Sequence, residues 1–263
     1  MTHRSGIVAV VGRPNVGKST LVNALVGEKV AIVSDTPQTT RREIRGIRTE
    51  PDAQVVFVDT PGFHKPRTLL GRRLNALVHD VATSGVDVVL LVVDAAAGVG
   101  RGDAFVATHE VVPVGVPAIC AVNKTDRLGR EAVLPQLAAA SELADFDEIV
   151  PVSAAKGDGL DTLLRLIVER LPEGPPLYLD DAATDQSTEA RVADLVREQV
   201  LVRTREEVPH SVAVVVESIE RDGDLSRVAA SVVVERDSQK GILIGKGGET
   251  LKAIGTAARP EIE

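Results

Sequence analysis

Gly12-Arg-Pro-Asn-Val-Gly-Lys-Ser19 is the stretch on which the reading of this chain turns. Its spacing is G-x-x-x-x-G-K-[ST]. It follows a β-branched run at residues 7–11 and opens an amphipathic stretch at residues 17–26, so the loop is expected to leave a strand and enter a helix. In that setting Gly12 and Gly17 permit a tight backbone wrap. The loop from Gly12 through Arg13, Pro14, Asn15, Val16 and Gly17 to Lys18, Ser19 and Thr20 then turns its N–H groups toward phosphate oxygens at a helix N-terminus. Lys18 can reach β- and γ-phosphate oxygens, and Ser19 can present its hydroxyl to Mg²⁺.

Outward from this loop, short Val/Ile-rich runs alternate with longer amphipathic stretches up to about residue 171, the pattern of a sheet wound with helices. Strands are expected at residues 7–11, 44–49, 54–59, 87–93, 118–123 and 148–151. Helices are expected at 17–26, 69–83, 102–111, 131–143 and 160–171. Residues 172–187 concentrate prolines and acids without periodicity and read as a linker. Beyond it come a helix at 188–204, two Val-rich strands at 211–219 and 227–236, a short apolar turn, and a further helix opened by Gly245-Lys-Gly-Gly248. The fold class is therefore α/β: a mostly parallel, doubly wound sheet over residues 1–171, followed by a smaller α+β domain over 188–263.

Bulk properties agree with two folded domains. The chain has 263 residues, 44% hydrophobic and 26% charged, which sets aside a disordered or fibrous protein. The first residues contain no apolar signal core, and the longest apolar run, Val88 to Val93, is bracketed by Asp87 and Asp94, so a cytoplasmic protein is expected. Cys120 is the single cysteine, which excludes an intramolecular disulfide and a cysteine-rich metal site. A net charge of −8 excludes nucleic-acid binding through overall positive charge. The part from Ala190 onward carries eleven Lys/Arg against thirteen Asp/Glu, so any RNA contact there is local.

Two more segments complete a phosphate and metal site. Asp59-Thr-Pro-Gly62 ends a strand, where ligands of open α/β sheets collect; Asp59 can hold Mg²⁺, and the N–H groups around Thr60, Pro61 and Gly62 can meet the γ-phosphate. Between the two motifs, the polar loop Pro37-Gln-Thr-Thr-Arg41 offers a second hydroxyl ligand, for which Thr40 is favoured over Thr39. Lys18, Thr40 and Gly62 are the residues expected to carry the chemistry.

The base is read elsewhere. Asn123-Lys-Thr-Asp126 also ends a strand. A carboxylate at Asp126 can accept from guanine's N1–H and exocyclic amine together, a donor pair that adenine lacks. Asn123 can donate to the ring, Lys124 can cover it, and Ser153, Ala154 and Ala155 after the next strand can supply backbone N–H groups. The ligands implied are GTP and GDP.

Taken in order, these segments resemble the translation-factor-related GTPases, and within them the Era family. The resemblance rests on Arg13-Pro-Asn-Val in the P-loop, Gln38-Thr-Thr-Arg41 in the first switch, and Arg205-Glu-Glu-Val-Pro-His-Ser-Val212 at the entry to the second domain. It implies that Thr40 is the switch threonine on Mg²⁺ and that Asn15 helps coordinate a K⁺ ion beside the phosphates. Phe63 stands where Ras-like enzymes carry a water-positioning glutamine, so slow intrinsic hydrolysis is expected; His64 is read as a solvated loop residue.

In the second domain, Gly245, Lys246, Gly247 and Gly248 resemble the G-x-x-G loop of a type II KH domain. Such loops clamp single-stranded RNA backbone, and residues 239–252 carry three Lys against one Glu. Era-type KH domains continue into a further strand and helix, so a domain ending at Glu263 is expected to be incomplete. The resemblance implies a monomeric switch that binds small-subunit ribosomal RNA and the 30S subunit in ribosome assembly, with peripheral association at the inner face of the cell membrane. Two alternatives stand beside it. Phe63 leaves room for a nucleotide-gated RNA-binding scaffold with incidental hydrolysis. A tRNA-modifying or membrane-associated GTPase is disfavoured by the Gly245–Gly248 loop.

Overall fold

The structure, a computed structural model, describes residues 2–34, 36, 39–63, 69–83, 85–204, 212–223 and 225–263. Pro37, Gln38, His64 and the run from Arg205 to Ser211, all used in the sequence reading, lie outside the described residues. The chain divides into two compact units, residues 1–31 with 40–185 and residues 32–39 with 186–263.

The first unit is built on β1 (Arg4–Val11), β2 (Ile44–Glu50), β3 (Ala53–Asp59), β4 (Val88–Asp94), β5 (Ala118–Asn123) and β6 (Glu148–Pro151), in the order β2-β3-β1-β4-β5-β6. All neighbours run parallel except β2, which pairs antiparallel with β3. The reason is local. Only Pro51 and Asp52 separate β2 from β3, and a connection that short closes a hairpin, whereas a parallel pair needs a crossover of a dozen residues or more.

Side-chain alternation explains why the strands read as unbroken apolar runs. Val8 and Val10 of β1, Leu90 and Val92 of β4 and Ile119 of β5 pack on one face with Leu21, Leu163 and Ile167. These last three come from α1 (Lys18–Val26) and α5 (Leu160–Arg170). The alternate residues Ala9, Val11, Leu91, Val93, Cys120 and Val122 pack on the other face, with Val78 of α2 (Leu69–Thr83), Val106 of α3 (Arg101–Val106) and Ala140 of α4 (Arg130–Ser141). A sheet covered on both faces needs apolar residues at every position, and burial leaves Cys120 a packing residue whose thiol is pushed up to about 12.

Three expectations need correcting. The helix expected at 102–111 is α3 followed by a π-helical turn, Ala107–Val111, closed by Val112 N–H to the Ala107 carbonyl at 3.0 Å; the wider turn carries Glu110 into the interior. The segment read as a linker is strapped to the first unit as far as Asp185. Buried Gln54 accepts the N–H groups of Leu177 and Tyr178 on Oε1 at 2.7 and 2.8 Å, Ile47 N–H reaches the Ala183 carbonyl at 2.8 Å, and Ser5 N–H reaches the Pro172 carbonyl at 3.1 Å. Prolines remove donors from such a strap but leave its carbonyls free to accept, so composition alone suggested a free chain.

The third correction lies in the second unit, which comprises α6 (Thr188–Arg203), an antiparallel pair β7 (Val212–Asp222) and β8 (Leu225–Val234), α7 (Asp237–Ile244) and α8 (Glu249–Ile262). The stretch expected as a short apolar turn is the helix α7, whose Leu243 joins Leu195, Val200, Leu201, Val212 and Ile254 in the core. Ser187 caps α6, its Oγ accepting the Ala190 N–H at 3.2 Å. Ile32 joins the same core, Val33 N–H donates to Glu198 Oε1 at 2.8 Å, and Arg197 donates to the Thr39 carbonyl. Among the described residues no helix is long and apolar enough to cross a membrane.

Candidate functional site

Apart from the Thr40 loop, which precedes β2, the segments singled out for the nucleotide lie at the carboxyl ends of strands: the P-loop after β1, Asp59 at the end of β3, Asn123 at the end of β5 and Ser153 just after β6. Parallel strands put these ends on one edge of the sheet, where a ligand can touch all of them. Two P-loop glycines are required by space as well as by backbone. A Cβ on Gly12, at φ 155°, would stand 2.5 Å from the Val92 carbonyl oxygen; one on Gly17, at φ 97°, would stand 2.5 Å from Asn123 Nδ2.

Lys18 is buried, and its Nζ donates to the carbonyls of Gly12 and Arg13 at 3.2 and 3.0 Å. Burial lowers its pKa to about 8, a fall that the nearby Asp59 carboxylate opposes. Asp59 is fully buried, and burial raises its pKa against the pull of Lys18, Ser19 and Thr40. Its Oδ2 accepts from Ser19 Oγ at 2.7 Å and from Thr40 Oγ1 at 3.2 Å, and the two hydroxyl oxygens lie 3.0 Å apart.

The remaining carboxylate oxygen, Asp59 Oδ1, is buried without a hydrogen-bond partner among the described residues. An orphaned carboxylate oxygen with two hydroxyls beside it is a hard, all-oxygen donor set, which fits Mg²⁺. One carboxylate and two hydroxyls leave the rest of an octahedral shell to water and phosphate oxygens, the usual division for this ion. Thr39 does not compete with Thr40. Its hydroxyl turns back to the Thr36 carbonyl at 2.6 Å.

The Asp59–Gly62 segment is pressed against the P-loop. A Cβ on Gly62 would stand 2.6 Å from the Pro14 backbone, and Phe63 N–H donates to the Gly12 carbonyl at 3.1 Å. Thr60 is fully buried with its hydroxyl on the Val10 carbonyl at 2.8 Å, so its side chain holds the loop to β1. Phe63 is buried as well, its ring stacked on Phe105 at 5.5 Å and tilted against His109 at 6.2 Å. It packs as a core residue where Ras-like enzymes keep a polar one.

At the base end, Asn123 ties three loops together. Its Nδ2 donates to the Val16 carbonyl at 2.9 Å and its Oδ1 accepts the Ala154 N–H at 3.0 Å, leaving the second amide hydrogen for a ligand ring. The Ala154 N–H expected on the base is thus used within the protein. Ser153 N–H and Lys156 N–H are also committed, to the Asp158 and Ser153 carbonyls, so Ala155 is the donor of that run left for a ligand. Ser153 Oγ donates to Asp126 Oδ1 at 2.7 Å, and this bond leads the effects that hold the Asp126 carboxyl below its ordinary pKa. Lys124, at φ 63°, sends Nζ to the Asn15 carbonyl at 2.6 Å and to Asp94 Oδ2 at 2.7 Å.

The Arg13 guanidinium is engaged within the protein, Nε pairing with Asp103 Oδ1 at 2.8 Å, so the backbone of Arg13 is what the loop contributes. Asp94 and Asp103 were missed as site residues because nothing in their spacing relates them to the P-loop; the contacts span 30 residues or more.

In the second unit, Gly245–Gly248 joins α7 to α8. Gly245 has φ 71° and no room for a Cβ against Thr250, Gly247 has φ 64°, and Lys246 is exposed, so the backbone of the loop is open to a ligand. Open glycine backbone beside an exposed cation suits an RNA phosphate.

Comparison with known proteins agrees with both halves. Residues 7–124 match the model of the 50S ribosome-binding GTPase family, and residues 207–263 match that of the KH domain. The GTPase Era of Mycolicibacterium smegmatis is 51% identical over 266 residues, covering 99% of this chain and 88% of the relative. Among solved structures, Era in complex with MgGDPNP and nucleotides 1506–1542 of 16S ribosomal RNA superposes with a TM-score of 0.95 at 38% identity, covering 99% of this chain and 89% of that one. A substituted Aquifex aeolicus Era bound to GDP and AlF4⁻ gives 0.94 at 38% identity with the same coverage. At this identity and coverage, and with the nucleotide-site geometry in place, the chain belongs to the Era family of GTPases.

Proposed function

We propose that this GTPase is a switch that binds small-subunit ribosomal RNA through its second domain when GTP is bound and acts in assembly of the 30S subunit. The observation that carries the nucleotide half is the convergence of Ser19, Thr40 and the orphaned oxygen of Asp59 beside Lys18. In hydrolysis a water oxygen bonds to the γ-phosphorus while the bond from that phosphorus to the β–γ bridging oxygen breaks, giving GDP and phosphate. Lys18 neutralises charge on the β- and γ-oxygens, and the Gly62 N–H faces the γ-phosphate. Thr40 links the first switch to Asp59. Mg²⁺, when bound, draws electron density from the same oxygens. Ser19, Thr40 and Asp59 are the residues that would hold it.

The buried Phe63 cannot orient water by hydrogen bonding, so intrinsic turnover is slow and rests on backbone amides and Lys18. K⁺ held in part by Asn15, at the φ 64° bend of the P-loop, belongs to this reading. So do a monomeric state, a cytoplasmic location and peripheral contact with the inner face of the cell membrane.

The RNA half is supported by the exposed Gly245–Gly248 loop and by the relative solved with a 16S ribosomal RNA fragment. Binding of the GTP-bound protein to an RNA of nucleotides 1506–1542 tests it. Lys246→Asp places a negative charge at a phosphate contact and is expected to weaken binding by roughly tenfold or more. Equal binding by the two proteins removes this loop from the function.

A further inference from the structure

The connection from β4 to α3 begins at Asp94 and ends in the first turn of α3 at Asp103; Asp103 grips the P-loop directly through Arg13, and Asp94 acts on it through Lys124. Asp103 is fully buried. Its Oδ1 accepts Arg13 Nε at 2.8 Å, its Oδ2 accepts the Gly100 N–H at 3.0 Å, and the Arg13 guanidinium also reaches the Gly98 carbonyl at 3.4 Å. Gly102 leaves the space the arginine needs: a Cβ there would stand 2.5 Å from Arg13 Cδ.

Asp94 is set in the same way. Its Oδ1 is fixed by the N–H groups of Ala96 and Ala97 at 2.9 and 3.1 Å, and its Oδ2 holds Lys124 Nζ at 2.7 Å, which in turn holds the Asn15 carbonyl at 2.6 Å. The middle of the connection is anchored too, Val99 N–H donating to Gln136 Oε1 at 2.9 Å.

We propose that Asp94 and Asp103 are positioning residues for GTP binding and hydrolysis, fixing from the two ends of one connection the backbone of Arg13 through Asn15. The inference rests on the GTPase reading and extends it to residues that touch no nucleotide. The consequence for chemistry runs through Arg13, whose carbonyl is one of two acceptors holding Lys18 Nζ. Turning the Arg13 peptide moves the acceptor, and with it the ammonium that must meet the γ-phosphate. Because phosphoryl transfer depends on placement, displacement of this group by about 1 Å costs roughly a hundredfold in rate.

The test is steady-state GTP hydrolysis, with release of a fluorescent GDP analogue and thermal unfolding measured alongside, for wild type, Asp103→Asn, Arg13→Gln, the Asp103→Asn/Arg13→Gln double variant and Asp94→Asn. Wild-type turnover above a Lys18→Ala control establishes the underlying GTPase reading independently of the outcome for the aspartates. Asp103→Asn and Arg13→Gln are each expected to lower kcat/KM by roughly ten- to a hundredfold, and the double variant to be no worse than the weaker single, because both remove one contact. Asp94→Asn is expected to release GDP roughly tenfold faster, since it frees Lys124. Losses in the double variant that multiply, or wild-type kcat/KM in folded single variants, overturn the proposal. Should Asp103→Asn not fold, Arg13→Gln, which alters the partly exposed member of its pair, and Asp94→Asn decide it.

Discussion

Asp126 carries an ionised carboxylate, the form that accepts guanine's two adjacent N–H groups, and the Ser153 hydroxyl that donates to Oδ1 lowers its pKa further and fixes its orientation. An amide in its place presents a donor where guanine also presents one. Asp126→Asn is therefore expected to lower GTP affinity by at least a hundredfold and to raise affinity for xanthosine triphosphate, whose base offers an acceptor at that edge. Competition binding with the two triphosphates checks it, and unchanged GTP affinity contradicts the assignment. The motif residues were legible because each carries its own chemistry in its own spacing: Lys18, Ser19, Asp59, Asn123 and Asp126 lie together at the strand ends where their motifs put them. Asp94, Asp103 and the internal use of the Ala154 N–H were not, because a hydrogen-bond partner far along the chain leaves no local pattern.

Elements show the same division. Strands buried on both faces announce themselves by composition, and five of the expected six fall within a residue of those found, β1 beginning three residues earlier than expected. Helix α7 was hidden by its shortness and by Gly241 in its interior, where glycine weakens helix propensity. The π turn after α3 was hidden because its period departs from 3.6. That turn has a testable cost. Glu110 is 2% exposed, its Oε2 finds no hydrogen bond among the described residues, His79 of α2 approaches it at 3.6 Å, and burial raises its carboxyl from the ordinary 4.5 to about 7. The folded protein thus holds a proton that the unfolded chain releases near pH 4.5. Stability from this group is present below that pH, declines as pH rises toward 7, and is absent above it. Glu110→Gln removes the titration and is expected to be more stable than wild type at pH 8 by about 1–3 kcal/mol, with the difference shrinking toward pH 5. Thermal unfolding across that range checks it; a difference independent of pH contradicts it.

At the scale of the whole chain, charge and connectivity matter more than any one contact. A protein of net charge −8 cannot hold RNA by its overall field, so the proposed RNA contact draws on a local surplus of positive charge, three Lys against one Glu over residues 239–252. The chain also crosses between its compact units more than once: residues 32–39, ending one position before Thr40, belong to the second unit, while the Pro-rich strap to Asp185 belongs to the first. The assignment of these two segments to their units depends on hydrogen bonds such as those of Glu198 and Gln54 that composition does not encode. The function proposed joins GTP turnover in one unit to RNA in the other. Hydrolysis of GTP by wild type and Lys246→Asp, each with and without isolated small ribosomal subunits, tests that junction most directly. The account predicts slow turnover by both proteins alone and stimulation by subunits in wild type only; no stimulation of wild type, or equal stimulation of the two, contradicts it.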